Sequence, residues 1–126
     1  LCTTGVDYEA SAKYKTGSAR FITTIANKNN QKIYGFVFTV TGKNNAGQEL
    51  AQLQYSTDLN VVKVLGVHLP INDKSLKGFE IKEYELEPTS QTTDYDFVEI
   101  RPIMELDSGV KKVCTESSGQ IPIQSA

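Results

Sequence analysis

The chain has 126 residues, of which 22% are charged, with a net charge of −2 and a sequence pI near 5.4. A chain of this length predicts one domain, and the slightly acidic balance gives no electrostatic reason to expect nucleic acid as a partner. No apolar run approaches the roughly 20 residues that a membrane-spanning helix needs. No signal-peptide pattern opens the sequence, so we expect any such leader to have been removed.

The first part of the chain alternates in a way that predicts three strands. Residues 8–14, 19–27 and 33–40 each sort with period two, because successive strand side chains face opposite sides of a sheet. We expect the second and third strands to form a hairpin. The third strand has the strongest pattern, with a bulky row on one face: Tyr34, Phe36, Phe38 and Val40.

A polar turn at residues 43–47 follows, rich in residues that accept positive φ. The segment 48–55 fits two structures. Continuity with the turn favours a strand, but Gln, Glu, Leu and Ala at helical spacing make a short helix the alternative.

The second part of the chain predicts further short strands at residues 60–69, 79–86, 95–101 and 110–115. In the third of these, alternation places Tyr95, Phe97, Glu99 and Arg101 on one face, and we expect Pro102 to end the strand. The fold class is therefore all-β, an antiparallel β-sandwich of Ig-like type with about eight strands. We expect residues 1–115 to form this domain and residues 116–126 to be a polar C-terminal tail or linker.

The two cysteines, Cys2 and Cys114, lie near opposite ends of the chain. We predict a disulfide between them, which indicates an extracellular, cell-surface or periplasmic location. The alternatives are two unrelated thiols or a lipidated Cys2. Lipidation ranks below the disulfide, because lipoprotein cleavage leaves cysteine first and Leu1 precedes it here.

Residues for catalysis are scarce. His68 is the single histidine, so it would have to serve any histidine-based triad, and a zinc site of His and Cys lacks ligands. A carboxylate hydrolase could use residues such as Glu83 and Glu99, but charged side chains normally mark the solvent face of a strand. We therefore expect no enzyme, with no catalytic, cofactor-binding or metal-binding residues and no cofactor.

Tyrosine is favoured at interaction surfaces. The chain has six tyrosines, and we select Tyr55, Tyr84 and Tyr95 as a candidate surface. The alternative is that they pack at the edge of the core, as strand tyrosines usually do.

Two segments carry a family resemblance. ITTIANKNNQKIYGFVFTVTGKNNAGQEL at residues 22–50 resembles the Asn-containing loop, apolar strand and Gly-containing turn of bacterial extracytoplasmic FxLYD-type Ig-like domains. LEPTSQTTDYDF at residues 86–97 is similar to the connector before their aromatic strand, while Thr41 and Gly42 stand where the family has Tyr-Asp. The resemblance implies an Ig-like sandwich on a cell-envelope protein, as an accessory domain with no catalytic residues.

Three hypotheses for the function follow, in order of preference. The first is a non-enzymatic extracellular or cell-envelope module that acts through protein–protein contact, with another protein or the same chain, or as a structural domain. The second is a small β-barrel that carries a hydrophobic ligand in a cavity lined by the Tyr34, Phe36 and Phe38 row. The third is the carboxylate hydrolase. Neither nucleic acid nor a membrane span is expected in any of them.

Overall fold

The structure is a computed structural model, and it describes residues 6–15, 20–42, 53–57, 62–65, 70–87 and 95–125. These residues contain ten strands and a 3-10 turn at Thr115–Ser117. No helix in this part of the chain is long and apolar enough to cross a membrane. The strands are Tyr8–Tyr14 (β1), Phe21–Asn27 (β2), Gly35–Gly42 (β3), Leu53–Ser56 (β4), Lys63–Leu65 (β5), Pro70–Ile71 (β6), Ile81–Leu86 (β7), Tyr95–Glu105 (β8), Lys111–Val113 (β9) and Gly119–Gln124 (β10).

The strands pair into one continuous sheet in the order β4-β3-β8-β10-β1-β2-β7-β5-β6, and β9 pairs with β8. The predicted all-β class is confirmed. The sheet is mixed and not antiparallel throughout, because β1 and β10 run parallel, with Ala12 opposite Ile123. The Ig-like sandwich type is not confirmed by this pairing.

The sheet curls so that its two parts face each other. We call β4, β3, β8, β9 and β10 the β3 half-sheet, and β1, β2, β7, β5 and β6 the β2 half-sheet. Four strands lie between β3 and β7 in the order, which in a flat sheet would separate them by more than about 20 Å. Nevertheless the ring centroid of Tyr84 on β7 lies 5.2 Å from that of Phe36 and 5.9 Å from that of Phe38 on β3.

A backbone bridge fixes the two halves where the curl closes. The N–H of Ile33 donates to the carbonyl of Leu76 at 2.9 Å, and the N–H of Leu76 donates back to the carbonyl of Ile33 at 2.7 Å. Both side chains are fully buried. The segments that lead into β3 and β7, which belong to different half-sheets, are thus held together.

The core lies between the half-sheets. The bulky row predicted on β3 is confirmed in the core for Phe36, Phe38 and Val40, all fully buried. Burying each such side chain contributes roughly 1.5–3 kcal/mol. Other large, fully buried side chains of the same core are Phe21, Ile25, Tyr84, Leu86 and Ile100.

The predicted hairpin of residues 19–27 and 33–40 is wrong. β2 pairs with β1 and β7, whereas β3 pairs with β4 and β8. The connection at residues 28–34 passes from one half-sheet to the other, since both strands must present an apolar face to the same core. The strand alternative is confirmed for Leu53–Ser56, and residues 48–52 lie outside the described residues.

The tail predicted at residues 116–126 is also wrong, and so is the domain boundary at residue 115. β10 lies inside the sheet: Gly119 to Pro122 pair with β8, and Ile123 and Gln124 pair with β1. Ile121 and Ile123 pack against the core. Alternation in a short polar segment is enough for a strand when both neighbours supply hydrogen bonds.

The sequence pattern predicts that Pro102 ends its strand. This prediction is wrong, because β8 continues to Glu105. Pairing with β10 stops at Ile100 and pairing with β9 starts at Ile103. Pro102 therefore lies where the neighbour of β8 changes from β10 to β9, outside the paired residues of both strands. Its carbonyl accepts a hydrogen bond from the N–H of Cys114 at 2.8 Å.

Candidate functional site

The structure does not bring Tyr55, Tyr84 and Tyr95 together as an exposed surface. Tyr84 is 0% exposed and Tyr95 is 4% exposed, and both belong to the core. The Tyr84 hydroxyl is satisfied internally, because it donates to the carbonyl of Lys74 at 3.1 Å. Tyr55 is half-buried and packs against the same core.

The candidate carboxylates Glu83 and Glu99 are not brought together. Glu83 lies on β7 and Glu99 on β8, and they line different grooves on different half-sheets. Glu99 forms an ion pair with Arg101, with 2.6 Å between Oε1 and Nη2. Within the described residues no three His, Cys, Asp or Glu side chains are grouped to hold a metal ion. His68 lies outside the described residues.

Cys114 is fully buried directly after β9, and the described part of the chain has no free cysteine. Its predicted partner, Cys2, lies outside the described residues. The disulfide therefore stays a prediction.

The hydrophobic cavity of the carrier hypothesis has no support at the row that it requires. Phe36, Phe38 and Tyr84 are in mutual ring contact, so side chains occupy the space between the half-sheets. Tyr34 lies outside this contact. Its ring receives the ammonium groups of Lys32 and Lys111, at 4.9 and 5.4 Å from the centroid.

A polar groove of about 400 Å³ crosses the outer face of the β3 half-sheet. Its floor is a transverse row that takes one residue from each of four neighbouring strands. The register places Gln54 opposite Thr39, Thr39 opposite Glu99, and Glu99 opposite Gln120. We call Gln54, Thr39, Glu99 and Gln120 the polar row.

The groove is completed by Phe97 and Thr41 on one side of the polar row and by Arg101 on the other. Phe97 is half-buried. The Nε atom of Arg101 is buried and has no hydrogen-bond partner among the described residues. Alternation in the sequence had grouped Phe97, Glu99 and Arg101 on one face, but only the register reveals that Gln54 and Gln120 join them.

A β-bulge explains why Tyr95 leaves that face. β3 and β8 pair in register up to Thr41 and Phe97, and the register then shifts so that Gly42 pairs with Tyr95. The extra residue, Asp96, is exposed. An extra residue reverses the alternation, so Tyr95 turns into the core while Phe97 stays outside.

A second surface feature is apolar. Phe79 and Ile81 are 69% and 63% exposed, the two most exposed large hydrophobic residues in the described part of the chain. Phe79 also has φ of 61°, in the left-handed region that bulky residues rarely adopt. We call Phe79 and Ile81 the apolar pair.

The apolar pair is held by a tight turn before β7. The N–H of Phe79 donates to the carbonyl of Asn29 at 3.2 Å, and the N–H of Glu80 donates to the carbonyl of Lys77 at 3.0 Å. Gly78 fits closely here, since a Cβ at this position would lie 2.6 Å from the carbonyl oxygen of Asn30. The backbone therefore presents the Phe79 ring from a fixed position.

Comparisons with known proteins add little. No family model matches the chain, and no curated protein matches it. Among solved structures, the chain is similar to a GH20 exo-β-N-acetylglucosaminidase from Vibrio harveyi, crystallised in complex with N-acetylglucosamine, with 13% identity and a TM-score of 0.41. The match covers 94% of this chain and 18% of that chain. A likeness of this size carries no argument about function, and the FxLYD resemblance remains a prediction.

Proposed function

We propose that the chain is a non-enzymatic extracellular or cell-envelope module that acts by contact with another protein through the apolar pair. The carrying observation is Phe79, a large apolar side chain that is 69% exposed in the left-handed conformation. That conformation costs a residue with a Cβ roughly 1–2 kcal/mol. Because the Phe79 ring is so exposed, its packing within the described fold offsets little of this conformational free energy. A bound partner would supply the missing contacts.

The surroundings of the apolar pair suit an interface. Beside Ile81 a shallow groove of about 230 Å³ has a floor of small side chains, including Ala26 and Thr24, where a partner side chain can insert. Ala26 is directly opposite Ile81 in the sheet. Interfaces characteristically place aromatic and aliphatic anchors next to such pockets.

The charges around the apolar pair indicate the chemistry of the partner. Glu9, on the rim of the shallow groove, and Glu80, within the turn, are paired internally, with Lys28 at 3.7 Å and Lys82 at 3.6 Å. Glu83 is exposed on β7, two residues from Ile81, and forms no ion pair among the described residues. The expected partner surface thus presents apolar side chains and one cation.

The polar groove bears on the alternative of a carboxylate hydrolase. Glu99 is the single carboxylate among its described lining residues, and Arg101 neutralises it. Hydrolysis by a carboxylate pair needs two such groups about 5–10 Å apart. The extracellular location rests on the predicted Cys2–Cys114 disulfide.

The test is site-specific photocrosslinking followed by affinity measurement. A photoreactive phenylalanine analogue placed at Phe79, and separately at Val110, which is exposed to 59% on another part of the surface, is activated in the source cells. We expect one protein to be crosslinked from position 79 only. A second copy of this chain is one of the identities that mass spectrometry would reveal.

The purified partner is then titrated against Phe79→Gly and the control Val110→Ser by calorimetry. Glycine accepts the left-handed backbone, so Phe79→Gly keeps the turn while removing the ring. We expect it to weaken binding at least tenfold, whereas Val110→Ser leaves binding unchanged. Equal affinity of the two variants would overturn the proposal.

A further inference from the structure

The polar groove of the β3 half-sheet is separate from the apolar pair, which lies on the β2 half-sheet. Adjacent strands are about 4.8 Å apart, so the four positions of the polar row span roughly 14 Å across the sheet. Gln54 and Gln120, at the two ends, are exposed, and Thr39 and Glu99 between them are half-buried. The row is therefore open along its length to an elongated ligand.

The polar row offers both hydrogen-bond donors and acceptors. Each glutamine amide donates through its nitrogen and accepts through its oxygen, the Thr39 hydroxyl does both, and the Glu99 carboxylate accepts. A ligand that matches such a row must itself carry donors and acceptors at close intervals. Hydroxyl groups have this property, because each is one donor and two acceptors.

The charge of the groove selects against an ionic ligand. Glu99 and Arg101 are its only described charged lining residues, and they neutralise each other at 2.6 Å. A phosphate or carboxylate ligand would have to compete with Glu99 for the guanidinium, and a cation would meet Arg101 beside its carboxylate. The groove is electrostatically suited to a neutral ligand.

One side chain of the groove favours a ligand with an apolar ring face. Phe97 flanks the polar row and is half-buried, so it offers part of an aromatic ring beside the hydrogen-bonding groups. The groove volume of about 400 Å³ is within the range of small-molecule sites, roughly 300–1,000 Å³.

We propose that this groove binds a neutral glycan, with its hydroxyl groups on the polar row and the apolar face of one sugar ring against Phe97. Gln54 and Gln120 hold the two ends of the bound segment, and Arg101 keeps Glu99 oriented as an acceptor. No bond is made or broken in this site. The proposal does not depend on the partner surface at the apolar pair.

The test is a titration of the folded, isotope-labelled chain with defined probes, followed by NMR. The probes are neutral oligosaccharides of glucose, galactose, mannose and N-acetylhexosamine, one sialylated oligosaccharide, and a neutral tetrapeptide. We expect at least one neutral oligosaccharide to shift the amide signals of β3, β8 and β10 in a saturable way, while the signals of β2 and β7 stay in place. Failure of every neutral oligosaccharide at millimolar concentration would overturn the proposal, as would tighter binding of the peptide or the charged sugar.

Matched variants then locate the site. Gln54→Ala and Gln120→Ala each remove one exposed end of the polar row, and we expect each to weaken binding roughly fivefold to tenfold, the effect of one lost hydrogen bond. Gln124→Ala, an exposed glutamine on the same strand as Gln120 that lines the groove of the other half-sheet, is the control and should bind as the unchanged chain does. If the control weakens binding as much as Gln120→Ala, the glycan does not occupy the polar row.

Discussion

The hydroxyl of Tyr14 engages both backbone polar groups of Tyr95. It accepts a hydrogen bond from the N–H at 2.9 Å and donates one to the carbonyl at 2.8 Å. Tyr14 ends β1 in one half-sheet and Tyr95 begins β8 in the other. One side chain therefore clamps the two half-sheets together at the β8 bulge. Its hydrogen bonds join β1 to β8, which are not neighbouring strands in the sheet.

Tyr14→Phe should test this clamp. The variant keeps the ring but leaves the Tyr95 N–H and carbonyl without this partner, so we expect a loss of about 1–3 kcal/mol in the free energy of unfolding. Urea denaturation followed by circular dichroism measures it. Tyr34→Phe is the control, because Tyr34 is engaged through its ring face by two lysines. Equal stability of the two variants would contradict the clamp.

Tyr8 and Gly119 make a second contact between the half-sheets. The Tyr8 hydroxyl donates to the Ser117 carbonyl at 2.8 Å, and a Cβ at Gly119 would lie 2.8 Å from that same hydroxyl oxygen. Gly119→Ala should displace the hydroxyl and cost roughly 1–3 kcal/mol.

A double-mutant cycle separates this clash from other effects of alanine. In the background of Tyr8→Phe the clashing oxygen is gone, so Gly119→Ala should cost clearly less there. Denaturation midpoints of the four proteins give the coupling. Additive costs would show that Tyr8 is not what excludes a side chain at position 119.

Stability should fall at alkaline pH. Burial, reinforced by the charge of Glu99, raises the pKa of Tyr8 from 10.0 to about 12, and burial likewise raises the pKa of Tyr84. Below pH 10 both hydroxyls are protonated in the folded and the unfolded chain. Above it the unfolded chain loses protons first, so the free energy of unfolding falls as pH rises from about 10 towards 12.

Urea midpoints at pH 9, 10 and 11 measure this fall. Tyr8→Phe removes one of the two groups, so its midpoint should decline less steeply than that of the unchanged chain. Tyrosinate absorbance should also appear at a higher pH in the native protein than in the chain unfolded by urea. The same slope in both proteins would argue against the raised pKa of Tyr8.

The locations of the strands could be predicted from the sequence, because period-two alternation is a local property. Residues 8–14 and the apolar row of β3 were predicted by that alone. The pairing of the strands could not be predicted from the sequence, since it depends on which strands share a core. The predicted β2–β3 hairpin is wrong for this reason. The bulge at Asp96 likewise reversed the face of Tyr95, and no local signal marks where an extra residue falls in a ladder.

The candidate sites could be predicted from the sequence only in part. Alternation grouped Phe97, Glu99 and Arg101, but the two glutamines that complete the polar row come from strands far apart in the chain. The sequence pattern predicts Phe79 as the first residue of a strand, whereas β7 begins at Ile81. Its left-handed backbone depends on a contact with Asn29, which the sequence does not reveal.

Removing β10 should abolish the fold. A chain that stops after Ser118 loses the pairing of β8 with β10 and of β1 with β10, so the two half-sheets lose the strand that joins them. We expect the dispersed amide NMR spectrum and the cooperative urea transition to disappear. A chain that stops after Gln124 keeps every paired residue and should fold normally. Cooperative unfolding of the shorter chain would restore the tail interpretation.

The predicted disulfide has a direct chemical test. Without reductant, thiol titration in denaturant should find no free thiol, and after reduction it should find two. Reduction, or Cys114→Ser, should then lower the free energy of unfolding by roughly 2–5 kcal/mol. Two titratable thiols before reduction would remove the main argument for an oxidising compartment.

The position of β10 between the half-sheets also governs when the chain can fold. During synthesis β1 leaves the ribosome before β10, its parallel neighbour, and has to wait for it until the eight described strands between them have been made. Until then β1 and β8 expose unpaired strand edges, the feature that makes partly folded β proteins prone to aggregate. Because its decisive contacts join distant parts of the chain, we expect folding on the slow, millisecond-to-second scale of such topologies.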